Sequence, residues 1–430
     1  MRVLVIGGGA REHALVARLS TDRDVGDVLS IPGNPGIASL SRCIRRKVDD
    51  VDGLVELARQ EQVDLTVVGP ELPLSLGIAD RFAEEGLLIF GPQRAAARLE
   101  SSKAFAKAFM ARHRVPTARF RTCNAVDEAL TSIRSGEFGM PVVIKADGLA
   151  AGKGVVVADD REAAEAAVTA AMSERRFGAA GDAVVIEECL TGPEVSFFVI
   201  SDGERAVPIG TAQDHKRIFD EDRGPNTGGM GAFAPSPLVD PALEARILRD
   251  IVHPVLAGMA AEGYSFRGFL YAGLMLTDDG PKVIEFNVRL GDPEAQVVLP
   301  LIDEPLLPLL VAGAAGALRQ PAVRVASDRL VGVVLASRGY PESSESGREI
   351  TGIDRAEAIE GVSVYHAGTE RRDRALVTAG GRVLTVVGRG DDFAEAITRA
   401  YAGVLQISFD GMQYRHDIGR RALESRARYS

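Results

Sequence analysis

A chain of 430 residues is longer than one hydrophobic core normally serves, so two to four domains are expected. Its apolar and charged fractions are those of a soluble globular protein, and a net charge of −10 argues against a nucleic-acid surface or an anionic membrane as partner. No apolar run is long enough to span a bilayer and no signal peptide precedes the first strand pattern; Cys43, Cys123 and Cys189 fit neither a disulfide framework nor a metal-ligand spacing, so a cytoplasmic protein is expected.

Met1–Ile6 reads as a short buried strand, followed by Gly7-Gly8-Gly9-Ala10-Arg11-Glu12-His13 and a helical pattern through Leu15, Val16 and Leu19. A strand, a glycine turn and a helix start can hold a phosphate. The dinucleotide fingerprint is incomplete, because Glu12 stands at its third glycine position and would repel a pyrophosphate. Further units at Val28–Ile31, Leu54–Ala58, Leu65–Val68 and Leu87–Phe90 continue a doubly wound parallel sheet that closes near Gly91-Pro92. The turns Pro32-Gly33-Asn34-Pro35-Gly36 and Gly69-Pro70-Glu71 follow strands, where open parallel sheets bind ligands.

Ser101-Ser102-Lys103-Ala104-Phe105 predicts a serine-capped helix ending before Val115-Pro116. Lys103 near its N-terminus is electrostatically unfavourable for the helix, a weak pointer to a ligand. Val142–Ile144 and Val155–Val157 then flank a loop with Gly148, Gly152 and Gly154, which predicts a hairpin with a glycine-rich tip. Glycines let backbone N–H groups close on a ligand, and Lys145 and Lys153 add positive charge, a combination suited to polyphosphate. A Walker loop does not fit: the glycine spacing is one residue short, Gly154 replaces Ser or Thr, and a strand follows instead of a helix.

Asp160–Glu174 predicts an alanine-rich helix, and Val184–Leu190 and Val195–Ile200 predict strands around Thr191-Gly192-Pro193-Glu194. A hinge of that kind offers backbone donors and acceptors to a flat heterocycle, and a carboxylate there can accept from ribose hydroxyls. Gln213–Arg217 and Gly224–Gly231 lie in a long loop of low apolar content, the kind that is usually functional. Asp240-Pro241 starts a helix that Pro254 should kink or end.

Phe269–Leu276 and Lys282–Asn287 predict two strands around a tight turn. Strict alternation on the second places Val283, Glu285, Asn287 and Arg289 on one face and Ile284, Phe286 and Val288 on the other. A carboxylate and an amide oxygen two residues apart suit Mg²⁺, which takes hard oxygen ligands. The last hundred residues carry strands at Leu330–Ala336 and Val383–Val387 and a helix over Asp391–Leu405, with no catalytic constellation of their own; they read as a lid or wall.

Together these segments resemble the ATP-grasp ligases and, within them, the phosphoribosylamine–glycine ligase family. The resemblance covers the whole chain. It rests on Gly9–Leu15, Gly69-Pro70-Glu71, Ser102–Phe105, Ile144–Gly154, Gln213–Arg217, Gly224–Gly231 and above all Arg289-Leu290-Gly291-Asp292-Pro293-Glu294-Ala295-Gln296. Family members usually carry Asn and Gly where this chain has Gly8 and Ala10, and often Cys and Phe in place of Val288 and Leu290.

The resemblance implies an α/β multidomain protein: an N-terminal doubly wound domain over 1–100, an ATP-grasp domain over 101–325 with a mobile hairpin subdomain at about 120–190, and a small C-terminal α+β lid over 326–430. It implies ligation of glycine to 5-phosphoribosylamine with ATP through a glycyl phosphate, in purine biosynthesis. Lys103 and Lys145 would hold α- and β-phosphates, with Gly148, Gly152, Lys153 and Gly154 in the loop that closes over them. Glu187, Glu188 and Leu190 would meet adenine and Glu194 the ribose. Glu285 and Asn287 would ligate Mg²⁺ or Mn²⁺, and Arg289 would neutralise charge on the transferring phosphoryl group or on the acyl phosphate. Asp214, Lys216 and Asp292 would serve the glycine and amine side. A second ion could be held by Asp292, by Glu294 or by nucleotide oxygens alone. A monomer or weak dimer is expected, acting on small molecules and not on nucleic acid or membrane. The competing readings are a carboxylating or formylating ATP-grasp enzyme of the same pathway and a nucleotide-binding regulator without turnover.

Overall fold

Alternation along the first strand decides how the N-terminal part packs. In the computed structural model, which describes residues 1–149 and 154–429, β1 (Arg2–Gly7) sends Val3 and Val5 into one core and Leu4 and Ile6 into another. A strand buried on both faces belongs to a parallel sheet covered by helices. With β2 (Asp27–Pro32), β3 (Arg42–Cys43), β4 (Leu65–Val68) and β5 (Ile89–Phe90) it forms a parallel sheet of order β3-β2-β1-β4-β5. The turns after β1, β2 and β4 therefore gather at one edge of that sheet.

The predicted hairpin lies in a second, separate layer. β6 (Phe120–Cys123), β7 (Val142–Ala146), β8 (Val155–Ala158) and β9 (Val184–Glu188) make an antiparallel sheet of order β6-β9-β7-β8. β7 and β8 pair from Val142↔Ala158 to Lys145↔Val155. This unit has its own core, built from residues such as Cys123, Ile133, Phe138, Ile144, Val168 and Ile186. Its helix begins at Arg161, where Asp160 accepts from the Ala163 N–H, and passes into a π turn over Thr169–Ser173. Gly152 and Lys153 fall outside the described residues.

A third sheet carries the rest. β10 (Glu194–Asp202), β11 (Ala206–Asp214), the small hairpin β12 (Arg217–Phe219) and β13 (Arg223–Asn226), β14 (Gly231–Ala234), β15 (Arg267–Thr277) and β16 (Gly280–Asn287) are followed by β17 (Arg329–Ala336), β18 (Val362–His366), a second hairpin β19 (Thr369–Arg372) and β20 (Ala375–Thr378), and β21 (Arg382–Gly390). Eight of them form one antiparallel sheet, β16-β15-β10-β11-β14-β17-β21-β18. β14 pairs with β17, so the strands after residue 326 extend the same sheet as the metal-type strand. The three cysteines are unpaired. Among the described residues, no helix is long and apolar enough to cross a membrane.

Two local expectations need correction. Of the kink or end expected at Pro254, only the end is not found: the Pro241–Ile247 helix runs through an irregular π turn at Leu248–Val252 into the His253–Ala261 helix, with Pro254 in its first turn. The wider turn absorbs the missing N–H of the proline, so the chain continues. The second correction concerns β16. Gly273 pairs with Glu285 but Leu274 pairs with Val283, which leaves Ile284 as a bulge. Val283 therefore joins Phe286 and Val288 in the core, away from Glu285.

Candidate active site

The β16 bulge is where the two sheets meet. Its unpaired Ile284 carbonyl accepts from Lys145 Nζ at 2.9 Å, across from the flap sheet. Lys145 is buried and lies 3.0 Å from Glu187 Oε1, while Glu187 Oε2 is 2.7 Å from Lys107 Nζ. Lys107 also donates to Thr117 Oγ1 at 2.8 Å, and that hydroxyl donates to the Val283 carbonyl at 2.7 Å. Burial pushes the Lys107 pKa down to about 8, against the pull of Glu187. Two ammonium groups share one carboxylate, so a surplus of positive charge remains beside β16.

The base of the flap loop is tied to the helix over Lys103–Arg112. Ser102 caps that helix, accepting from Phe105 N at 3.1 Å. Asp147 accepts from Ala104 N at 3.0 Å and from Ser102 Oγ at 3.2 Å, which puts a carboxylate at the positive helix end. Lys103 Nζ donates to the Gly148 carbonyl at 3.0 Å. The hairpin closes where Ala146 N donates to the Gly154 carbonyl at 2.8 Å. Lys103 and Gly148 thus meet at the base of the loop.

Glu285 and Asn287 project from β16 on the side away from Val283, Phe286 and Val288. Gly273, opposite Glu285, leaves room for it: a Cβ there would lie 3.2 Å from Glu285 Cγ. Neither the Glu285 carboxylate nor the Asn287 side-chain amide takes a hydrogen bond or ion pair from the described residues. Unpartnered hard oxygens beside a cationic group suit a divalent ion that keeps bonds to phosphate and water. Among the described residues no cluster of three or more His, Cys, Asp or Glu could hold an ion alone, which leaves room for nucleotide oxygens in the coordination sphere.

Arg289 is half-buried just beyond, 3.2 Å from Glu71 and 2.8 Å from Glu100. Burial works against its charge, but Glu100 and Glu71 outweigh it and keep it firmly protonated. Glu100 in turn accepts from Val288 N at 2.8 Å. On the other side, Lys216 Nζ lies 2.5 Å from Glu194 and 3.0 Å from Asp214. Burial opposes its charge as well, yet Asp214 and Glu194 hold its pKa well above the ordinary lysine value. Glu294 Oε1 is 3.1 Å from Ser196 Oγ, which is also 3.1 Å from the Tyr271 hydroxyl. Burial first, and then Asp214, push the Glu294 carboxyl up to about 7.

Asp292 joins this group to the N-terminal sheet. It accepts from Gln296 Nε2 at 2.8 Å, and a Cβ on Gly9 would stand 3.6 Å from its Oδ2. Burial pushes Asp292 up, but Arg382, Arg11 and the Gln296 bond together hold it below the usual carboxylate range. Glu12, where a pyrophosphate would be repelled, is buried in a capping box on Gly9 N and bonded to Arg11 Nε at 2.7 Å. Asn34 donates to the carbonyls of Gly8 and His366, fastening the N-terminal turns to the C-terminal strands.

Two expected residues sit differently from the rest. The Glu187 carboxylate pairs with both lysines, although its Oε1 takes no hydrogen bond, and Glu188 turns outward to Arg119 at 2.6 Å with its N–H on the Arg119 carbonyl; half-buried Leu190 follows. Lys107, Glu100 and Arg382 were not anticipated. Lys107 stands four residues after Lys103, on the same helical face, a signal that was available; Arg382 follows Gly380-Gly381 in a segment with no motif.

Models of the phosphoribosylglycinamide synthetase N domain, ATP-grasp (A) domain and C domain match residues 1–100, 101–295 and 330–421. The chain belongs to this family. It is 47% identical over 426 residues to phosphoribosylamine–glycine ligase of Vibrio parahaemolyticus, covering 98% of this chain and 99% of that one. To the same-named protein of Xanthomonas campestris it is 50% identical over 427 residues, with 98% of each covered. The crystal structure of phosphoribosylamine–glycine ligase from Thermotoga maritima superposes with a TM-score of 0.84 at 35% identity, over 97% of this chain and 100% of that one. A 2-oxoglutarate carboxylase biotin carboxylase domain from Hydrogenobacter thermophilus, at 19% identity and TM-score 0.72 over 96% and 91% of the two chains, shares the fold alone. As a member of the phosphoribosylglycinamide synthetase family the chain is an ATP-grasp ligase, and its fold implies ATP and a divalent metal.

Proposed function

We propose that this chain joins glycine to 5-phosphoribosylamine at the expense of ATP, giving N1-(5-phosphoribosyl)glycinamide, ADP and phosphate in purine biosynthesis. The observation that carries the reading is the buried Lys145 ammonium delivered to the β16 bulge, one residue before Glu285. A carboxylate is a poor electrophile. A glycine carboxylate oxygen therefore attacks the γ-phosphorus and ADP leaves; the amine nitrogen then attacks the acyl carbon, loses a proton and expels phosphate. Positioning and charge neutralisation do this work, with no side-chain nucleophile.

In this reading Lys103 and Lys145 hold the α- and β-phosphates beneath the loop of Gly148, Gly152, Lys153 and Gly154. Adenine lies against Glu188–Leu190, next to Glu187, and Glu194 takes the ribose. Glu285 and Asn287 hold Mg²⁺ or Mn²⁺, which would neutralise charge on the transferring phosphoryl group. Arg289 adds a fixed positive charge there, and Asp214, Lys216 and Asp292 orient glycine and the amine. The division at residues 100 and 325 belongs to the same reading, as does a hinged flap at about 120–190, supported by the flap's separate core. So do a cytoplasmic location and a monomer or weak dimer.

The test is a coupled ADP assay with phosphoribosylamine generated in situ, with and without glycine. Glycine-dependent ADP release is expected. Release driven by bicarbonate or formate instead would assign a carboxylating or formylating enzyme, and ATP binding without turnover would assign a regulator.

A further inference from the structure

We propose that Arg382, at the start of β21 in the C-terminal strands, is a positioning residue for the acceptor side of the ligation site; the proposal rests on the ligase reading above. Its Nη1 donates to the carbonyls of Gly228 at 2.6 Å, Asp292 at 2.5 Å and Gly229 at 3.4 Å, and lies 3.5 Å from the Asp292 carboxylate. One guanidinium end therefore fastens the loop before β14 to the turn after β16. A planar guanidinium is suited to this, because its donors point in fixed directions and it stays charged when buried.

The bond pattern reaches two residues assigned to the reaction. Asp292 is gripped directly. Lys216 is reached through Thr227, whose N and Oγ1 both donate to the Lys216 carbonyl at 2.8 Å and whose Oγ1 accepts from Gly229 N at 2.9 Å. The turn after β17 holds Gly228 as well, since its N–H donates to the Tyr340 hydroxyl at 3.0 Å. Packing leaves little slack. A Cβ on Gly228 would sit 3.1 Å from the guanidinium carbon, and one on Gly229, whose φ is +110°, would sit 2.5 Å from Pro293 Cδ. Withdrawing Arg382 takes this donor from the part-buried Gly229 and Asp292 carbonyls and from the exposed Gly228 carbonyl, and frees the loop relative to Asp292.

The phosphate- and metal-side groups do not share this tie, and Glu194, assigned to the ribose, meets it only through the Lys216 side chain at 2.5 Å. Lys103, Lys145, Glu187 and Glu285 have no hydrogen bond to Arg382 or to the Gly228–Gly229 segment. The expected signature is thus a split between the two sides. In the full-length enzyme Arg382→Ala should lower kcat for glycine- and phosphoribosylamine-dependent ADP release about 100-fold, as a shift of about 1 Å does to oriented reactants, and raise the KM for glycine. ATP affinity, measured by equilibrium binding, should stay within about twofold of wild type, because the phosphate contacts are untouched. Arg382→Lys restores one donor and the charge and should regain about tenfold of that loss. Tyr340→Phe, which removes one neutral bond, should act in the same direction by about threefold. Wild-type turnover in Arg382→Ala, a fall in ATP affinity in step with kcat, or an Arg382→Lys variant no better than alanine would each overturn the proposal. A wild-type enzyme that releases no ADP in response to glycine would strike the ligase reading itself, a separate result.

Discussion

The sides proposed for the nucleotide and for the acceptor are built by different means. On the nucleotide side, two buried lysines, one glutamate and a bulge carbonyl are stitched through short contacts between the flap sheet and β16. On the acceptor side, Asn34, Gly228, Asp292 and Arg382 come from four widely separated stretches of chain and are tied largely through backbone carbonyls. The first is a charge device, in which each group matters for its own sign. The second is a scaffold, in which groups matter for where they hold others. Removing a nucleotide-side group should therefore alter ATP use or phosphoryl transfer specifically, whereas loosening the acceptor side should spare ATP affinity.

The sharpest test of that contrast is Glu285→Ala. It removes an oxygen donor and no core volume, so turnover should fall about a thousandfold, the several kcal/mol expected of a lost metal ligand, with thermal stability unchanged. Wild-type-like ADP release by that variant would refute the metal assignment. Lys145→Ala comes next. Glu187 keeps Lys107, so the fold should survive, while loss of a charged contact worth about 2 kcal/mol should weaken ATP binding roughly 30-fold. An unchanged nucleotide affinity would count against its phosphate role.

Asp147→Ala tests whether the flap base depends on its helix anchor. Losing a capping carboxylate costs about 1 kcal/mol, so a several-fold rise in the KM for ATP and a slightly lower Tm are expected; a variant indistinguishable from wild type would show the anchor to be dispensable.

The smallest effect concerns the junction between the N- and C-terminal strands. His366 N donates to His13 Nδ1 at 2.8 Å, and both imidazoles are buried. Burial, helped by His366, lowers His13 to about 3; burial, helped by Arg371, lowers His366 to about 4. Folding thus favours the neutral rings. Their contribution is complete above the unfolded value of about 6.5 and is lost as pH falls from there toward 4 and 3. The Tm should drop across that window, less steeply in a His366→Gln variant. Equal slopes in the two proteins would assign the acid sensitivity to other groups.

This contrast also explains what could be read from the chain. The parallel sheet, the grasping hairpin and the capped helices rest on short-range patterns, and residues such as Val142–Lys145, Ser102 and Asp160 carry them within a few positions. Lys145 and Glu285 were visible as types of residue in the right kind of element. The Glu187 engagement, the Arg382 hub and the Asn34 bridge were not, because each depends on a partner more than forty positions away and no local pattern pairs the two. Ile284 misled for a subtler reason. Nothing in a run of alternating side chains marks the one that will be skipped by its neighbour strand.

That skipped residue has a further consequence. With Ile284 absent, regular pairing would still send Glu285 outward and Phe286 inward, so the facing of Glu285 and Asn287 does not need it. What would vanish is the tether for the lysine ammonium. A single-residue deletion could thus uncouple oxygen-donor geometry from cation placement, which makes this one position a natural adjusting screw for nucleotide grip in engineered relatives.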